Sequence, residues 1–164
     1  MRSANQKNKN WYEALLKLLN NIYTNIDVGF PARVINYDKK RHVADIQPLF
    51  NFSDGTKKAQ LLDVPVAENC YIVDEILERL KPDFSAIDSN SSLPEHSKTN
   101  LIKHLPKKKL MRKGVLVTVL VLDRDMDNWK GGRNADEFTP ASNRTHDIND
   151  TVIIGVLGGD AVDG

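Results

Sequence analysis

The chain has 164 residues, enough for one domain with a real hydrophobic core and too few for two comfortable ones. Its 23 Lys and Arg against 22 Asp and Glu leave a formal net charge of +1, which excludes a global field drawing it to nucleic acid or to an anionic membrane. The single cysteine, Cys70, excludes an intramolecular disulfide and a multi-cysteine zinc site and is read as a small buried apolar side chain, while no stretch reaches the ~20 apolar residues of a membrane span.

Residues 1–10 are polar and rich in Asn and Lys, and Glu13, Lys17, Asn20 and Asn21 interrupt the apolar residues after them, unlike the apolar core of a secretory signal. Synthesis in the cytoplasm is therefore expected. From Trp11 to Ile26 the apolar residues Trp11, Leu15, Leu18, Ile22 and Ile26 step by four, three, four and four, with Leu16 and Leu19 widening the stripe. The pattern predicts an amphipathic helix of about four turns, whose stripe docks on the chain's own sheet or on a partner chain. Gly29 and Pro31 are expected to end it.

The period then changes to two. Ala32 to Tyr37 and Val43 to Phe50 read as strands joined by the polar turn Asp38-Lys39-Lys40-Arg41, and Ala59 to Ala67 as a third strand that Pro65 demotes to an edge or a strand end. Residues 68–113 interrupt the β pattern: Ile72, Val73, Ile76, Leu77 and Leu80 are at helical spacing, Pro82 is expected to stop that helix, and Ser85 to Asn100 has a loop composition. Gly114 opens the strongest strand, Val115 to Leu122, apolar on both faces except for Thr118. Such a strand needs cover outside as well as inside. A long polar loop leads to a last strand, Thr151 to Leu157, and residues 158–164 read as a flexible tail. The fold expected is mainly β: a five-stranded OB-type barrel over 29–157, with an amphipathic helix in 1–28 and a partly helical insertion at 68–113.

No catalytic or metal site and no cofactor is expected. Asp123, Asp125 and Asp127 are spaced as in the first half of a calcium loop, but Asn128 and Asn134 stand where its glycine and bidentate glutamate belong, so they are read as solvated loop carboxylates. His146 with Asp147 and Asp150 suggests acid–base chemistry, yet no nucleophile with a paired base and no second histidine at ligand spacing accompanies them. Arg144, His146, Asp147 and Asp150 are instead assigned to a structural turn ahead of the last strand. A cell-wall hydrolase using His146 and Asp147 is the least supported alternative, lacking a second positioned group. The cluster Lys103, His104, Lys107, Lys108, Lys109, Arg112 and Lys113 raises the alternative of an OB-type module binding single-stranded nucleic acid. That use needs exposed aromatics interleaved with the cations, and the strongest strand has none. Trp129, beside Gly131 and Gly132, is a candidate plug for the barrel mouth or an interface residue.

Four segments together resemble the N-terminal OB domain of central-spike proteins from contractile phage tails: Pro31 to Asp38 with Val43 to Pro48; Asp63-Val64-Pro65-Val66; Lys113 to Val117 through Asp123 to Trp129; and Arg144-Thr145-His146-Asp147-Ile148-Asn149-Asp150 ahead of Val152 to Gly155. The resemblance covers residues 29–157 without the insertion. It implies a homotrimer in the virion's tail baseplate, assembled in the host cytoplasm, that joins the tail hub to a needle and passes the thrust of sheath contraction toward the host envelope. The family's β-helical needle and its iron-binding His-x-His tip are not matched, so the implied place is a spike base completed by a separate spike-tip protein, or a hub adaptor. The trimer interface expected from these readings comprises Leu15, Leu18, Ile22, Val117, Val119, Val121 and Trp129. An apolar strand and an exposed apolar helix stripe favour self-association independently, since each large side chain left in water forfeits about 1.5–3 kcal/mol of burial.

Overall fold

The computed structural model describes residues 4–24, 26–51, 54–89, 99–130, 137–158 and 160–161. In chain order these form helix α1 (Ala4–Thr24), strands β1 (Gly29–Asp38), β2 (Val43–Pro48) and β3 (Leu61–Pro65), a short 3-10 turn (Glu68–Cys70), helices α2 (Ile72–Ser89) and α3 (Leu101–His104), and strands β4 (Leu116–Val121) and β5 (Thr151–Val156). The chain divides into two compact units, one of residues 29–120 with 151–164 and one of residues 1–28 with 121–150.

The larger unit carries a curled, five-stranded antiparallel sheet in the order β3-β2-β1-β4-β5. Alternation explains which side of it is dry: Phe30, Ala32 and Val34 of β1, Ala44 and Ile46 of β2, and Val117 and Val119 of β4 are buried, while their neighbours point outward. The β1–β2 hairpin closes on Asp38, whose Oδ1 accepts from the backbone N–H groups of Lys40 (2.9 Å) and Arg41 (3.2 Å), and His42 completes the turn at φ 52°. Gly29 pairs with Leu120 so closely that a Cβ would stand 2.8 Å from the Val119 carbonyl oxygen, so glycine is needed there. Gly114, at φ 86°, makes the turn into β4. β5 lies beside β4, with the Leu157 N–H donating to the Leu116 carbonyl at 2.8 Å. On its other side the Ile153 carbonyl accepts from the Ala67 N–H at 2.8 Å, and Val66 and Ile153 form a parallel bridge.

Several sequence expectations shift. Gly29 and Pro31 belong to β1 rather than to a helix end, because α1 has already stopped at Thr24. β2 stops at Pro48, and β3 is shorter than expected: Leu62 and Asp63 both face outward, Asp63 adopts φ 52°, and the register slips between Ala44 and Ile46. This is a bulge, fixed by the Asp45 carboxylate accepting the Asp63 N–H at 3.1 Å and by Arg41 Nη2 donating to Asp63 Oδ1 at 2.6 Å. α2 runs through Pro82 to Ser89, so the proline does not end it and residues 85–89 are helix, not loop. Pro82 removes one helical hydrogen bond, but the helix is pinned on both sides of it. Asp74 accepts from the N–H groups of Leu110 (2.9 Å) and Met111 (3.1 Å), and Asp88 from those of Leu101 (2.9 Å) and Ile102 (3.0 Å). The Asp88 bonds also supply the acceptors that α3's first turn otherwise lacks. Of the expected flexible tail, Asp160 pairs with Lys108 and Arg112, and Ala161 is buried with its carbonyl accepting from the Lys108 N–H at 3.4 Å; residues 162–164 lie outside the described residues.

Ile46 and Ile153 have no exposed surface. Ile153→Ala is expected to cost about 2–5 kcal/mol, read as a lower urea midpoint at unchanged slope. Ile154→Ala, at a site 38% exposed on the other face, is expected to cost less than half as much; equal costs would contradict this assignment of faces.

Candidate functional site

In the smaller unit the stretch after β4 and the stretch before β5 meet around one guanidinium. Arg144 donates from Nε to Asp150 Oδ2 and from Nη2 to Asp150 Oδ1, both at 2.7 Å, a bidentate fork. The same Nη2 lies 3.3 Å from Asp125 Oδ1 and from Asp127 Oδ1. Asp125 and Asp150 are each 1% exposed, so both would be costly if unpaired. Their remaining acceptor positions are also used: Asp125 takes the Ser142 hydroxyl and the Asp127 N–H, and Asp150 takes the Met126 N–H. The Asp147 carboxylate caps its own turn through Asn149, and the Asp147 carbonyl accepts the Asp150 N–H at 2.9 Å. The clamp therefore ties the loop after β4 to the run into β5.

Asp125 overturns one expectation, because it is buried rather than a solvated loop carboxylate; Asp123 and Asp127 are exposed. Asp125, Asp127 and Asp150 could between them offer three metal-ligand oxygens. The positive charge that such a trio calls for is already supplied by Arg144, and the oxygens of Asp125 and Asp150 are also spent on the Ser142 hydroxyl and backbone N–H groups. His146 lies at φ 51°, half-buried, with Nε2 3.1 Å from Asp123 Oδ1, while the Asp147 carboxylate turns to Asn149. His146 and Asp147 thus serve separate partners and are not assembled as an acid–base pair. Trp129 is half-buried and its backbone N–H donates to the Met126 carbonyl at 2.9 Å.

The Arg144 fork, and then the backbone N–H of Met126, hold the Asp150 carboxyl below the ordinary aspartate value of 3.8, against its burial. The Ser142 hydroxyl and the Asp127 N–H do the same for Asp125. Ionised forms are thus favoured more in the folded than in the unfolded chain. The stabilisation is complete above pH 3.8 and is lost as pH falls below it through the folded values. The expected outcome is a thermal midpoint that drops steeply below about pH 4 and drops less in Asp150→Asn, checked by circular dichroism melts across pH.

The expected interface residues are divided by the structure. Leu15, Leu18 and Ile22 are 41%, 56% and 48% exposed, and every described side chain of α1 from Lys9 to Thr24 is exposed. Val117, Val119 and Val121, by contrast, are buried and cannot meet a partner, because the alternation of β4 turns them inward and presents Leu116, Thr118 and Leu120 outward.

The basic cluster is partly neutralised within the larger unit: Lys109, with Lys39, pairs with Glu78, and Lys108 and Arg112 pair with Asp160. Lys109 and Lys39 hold the Glu78 carboxyl at about 2. The contact of His42 with Tyr71, 29 residues apart, has no local signal in the sequence: their rings stack at 4.1 Å and 9°, with the Tyr37 hydroxyl 3.4 Å from His42 Nδ1. Burial, with Tyr71 and the carboxylates Glu75 and Asp74 nearby, pushes the Tyr37 hydroxyl up to about 12. Among the described residues no helix is long and apolar enough to cross a membrane. No protein-family model and no curated protein matches the chain.

Proposed function

We propose that the chain is a structural, non-catalytic component of a contractile phage tail baseplate, a homotrimer serving as the base of the central spike or as a hub adaptor. The observation that carries this reading is the strand order β3-β2-β1-β4-β5 together with the parallel approach of β3 to β5 at Val66 and Ile153. An OB-type barrel closes its five strands through that contact, and the resemblance to the spike domain rests on the same strands. The Arg144 clamp supports it further, since Arg144, Asp150, Asp125 and Asp127 all fall within the resembling segments.

A mechanical role suits this chemistry. Thrust along a sheet is carried by many hydrogen bonds loaded together, and the clamp fixes the loop after β4 to the run into β5. α1 supplies the associating surface. Single-stranded nucleic acid binding has less support, because much of the basic cluster is spent on Glu78 and Asp160 and the lining of the adjoining groove offers no aromatic platform for bases among the described residues.

Antibody raised against the chain, applied to particles of the phage that encodes it, is expected to label the baseplate end of the tail. Deleting the chain is expected to leave sheath and tube assembled but the particles non-infectious. Label on the head, or absence of the chain from purified particles, would contradict the proposal.

A further inference from the structure

A groove of about 640 Å³ runs between α2 and the segment 101–109 of the larger unit. Leu77, Ile102, Leu105 and Pro106 give it an apolar lining, and five lysines line it against two carboxylates, Asp74 and Glu78. Both carboxylates are committed, Asp74 to the backbone N–H groups of Leu110 and Met111 and Glu78 to Lys39 and Lys109. Lys108 is held by Asp160 at 3.1 Å. Lys81, Lys103 and Lys107 are exposed and make no ion pair among the described residues, so they leave the groove locally positive in a chain of net charge +1. The apolar stripe of α2 continues past the groove through Val73, Ile76, Leu80 and Ile87, which are 37–49% exposed.

We propose that this groove docks an acidic, amphipathic segment of a partner protein, which lays apolar side chains on the α2 stripe and directs carboxylates to Lys81, Lys103 and Lys107. Charge complementarity selects the occupant. The uncommitted groups are all cationic, so a basic or neutral segment would leave them unpaired as water is excluded. The apolar lining calls for aliphatic anchors, as in a helix laid in a groove, and a lining without aromatic side chains among the described residues disfavours stacked bases. This docking is independent of the spike reading, since it uses neither α1 nor the barrel contact.

The test is fluorescence anisotropy with the full chain and a fluorescein-labelled peptide of about four helical turns, with leucine at i, i+3, i+4 and i+7 and glutamate on the flanks. Binding is expected at low salt and is expected to weaken as salt is raised. The triple variant Lys81→Glu, Lys103→Glu, Lys107→Glu should weaken it by at least about tenfold, and the control Lys40→Glu, Lys57→Glu, Lys130→Glu by no more than about twofold. If the groove variant melts early, Lys→Gln at the same three positions replaces it, with a loss in the same direction expected. Failure of the wild-type chain to bind, equal loss in both triple variants, equal binding of a glutamine counterpart, or tighter binding of an oligothymidine of the same charge would each overturn the proposal.

Discussion

Arg144→Ala is expected to lower the thermal midpoint by at least about 10 °C. Burial is the cause. Asp125 and Asp150 keep 1% of their surface and are held ionised by one guanidinium and a few hydrogen-bond donors. Removing the guanidinium leaves two carboxylates with no counter-charge in a place water scarcely reaches, which is among the most damaging single changes available to a small domain. Lysine at the position should rescue little, because one ammonium cannot reproduce the fork that donates twice to Asp150. The double variant Arg144→Ala with Asp150→Asn should recover part of the loss by removing one stranded charge, which separates an electrostatic clamp from mere packing. A midpoint within about 2 °C of wild type would mean that the carboxylates find water or other partners, and that the clamp is incidental.

The second large effect concerns assembly. Leu18→Glu with Ile22→Glu is expected to convert the proposed trimer to monomer without lowering the stability of the sheet. α1 is exposed along its described side chains, and Trp11, Leu15, Leu18 and Ile22 fall at the four, three, four spacing of a helix seam. Tyr12, Leu16, Leu19 and Tyr23 make a second row beside it, all at least 40% exposed. Each side chain left in water forfeits about 1.5–3 kcal/mol, and packing copies of the helix together recovers it. Leu120→Glu, on the outward face of β4, separates the two candidate seams: sedimentation velocity of both variants identifies the one whose loss dissociates the particle. A trimer that survives the α1 changes but not Leu120→Glu would place the seam on β4.

How much of this was legible depended on where the determining contacts lie. The strands β1 and β2 announced themselves through alternation and the turn at Asp38, because a half-buried strand writes its environment into its own sequence. β4 did not. A run apolar on both faces carries no period, so the three valines read as outward although the sheet turns them inward. Pro82 carries a strong local stop signal, and only the distant bonds of Asp74 and Asp88 to residues 99–111 explain why α2 continues. The turn residues Arg144, His146, Asp147 and Asp150 were marked in the sequence. Asp125 carries no local sign of burial, because its partners Ser142 and Arg144 lie 17 and 19 residues away. Likewise, nothing local to Lys108 or Lys109 reveals Asp160 or Glu78.

Whether the chain associates into a trimer is decided by the mass of the purified protein in solution, read by light scattering. A homotrimer gives a particle three times the 18.5 kDa of one chain, reduced to one-third by Leu18→Glu with Ile22→Glu. A monomer at every concentration up to those at which α1 would have to associate would contradict it.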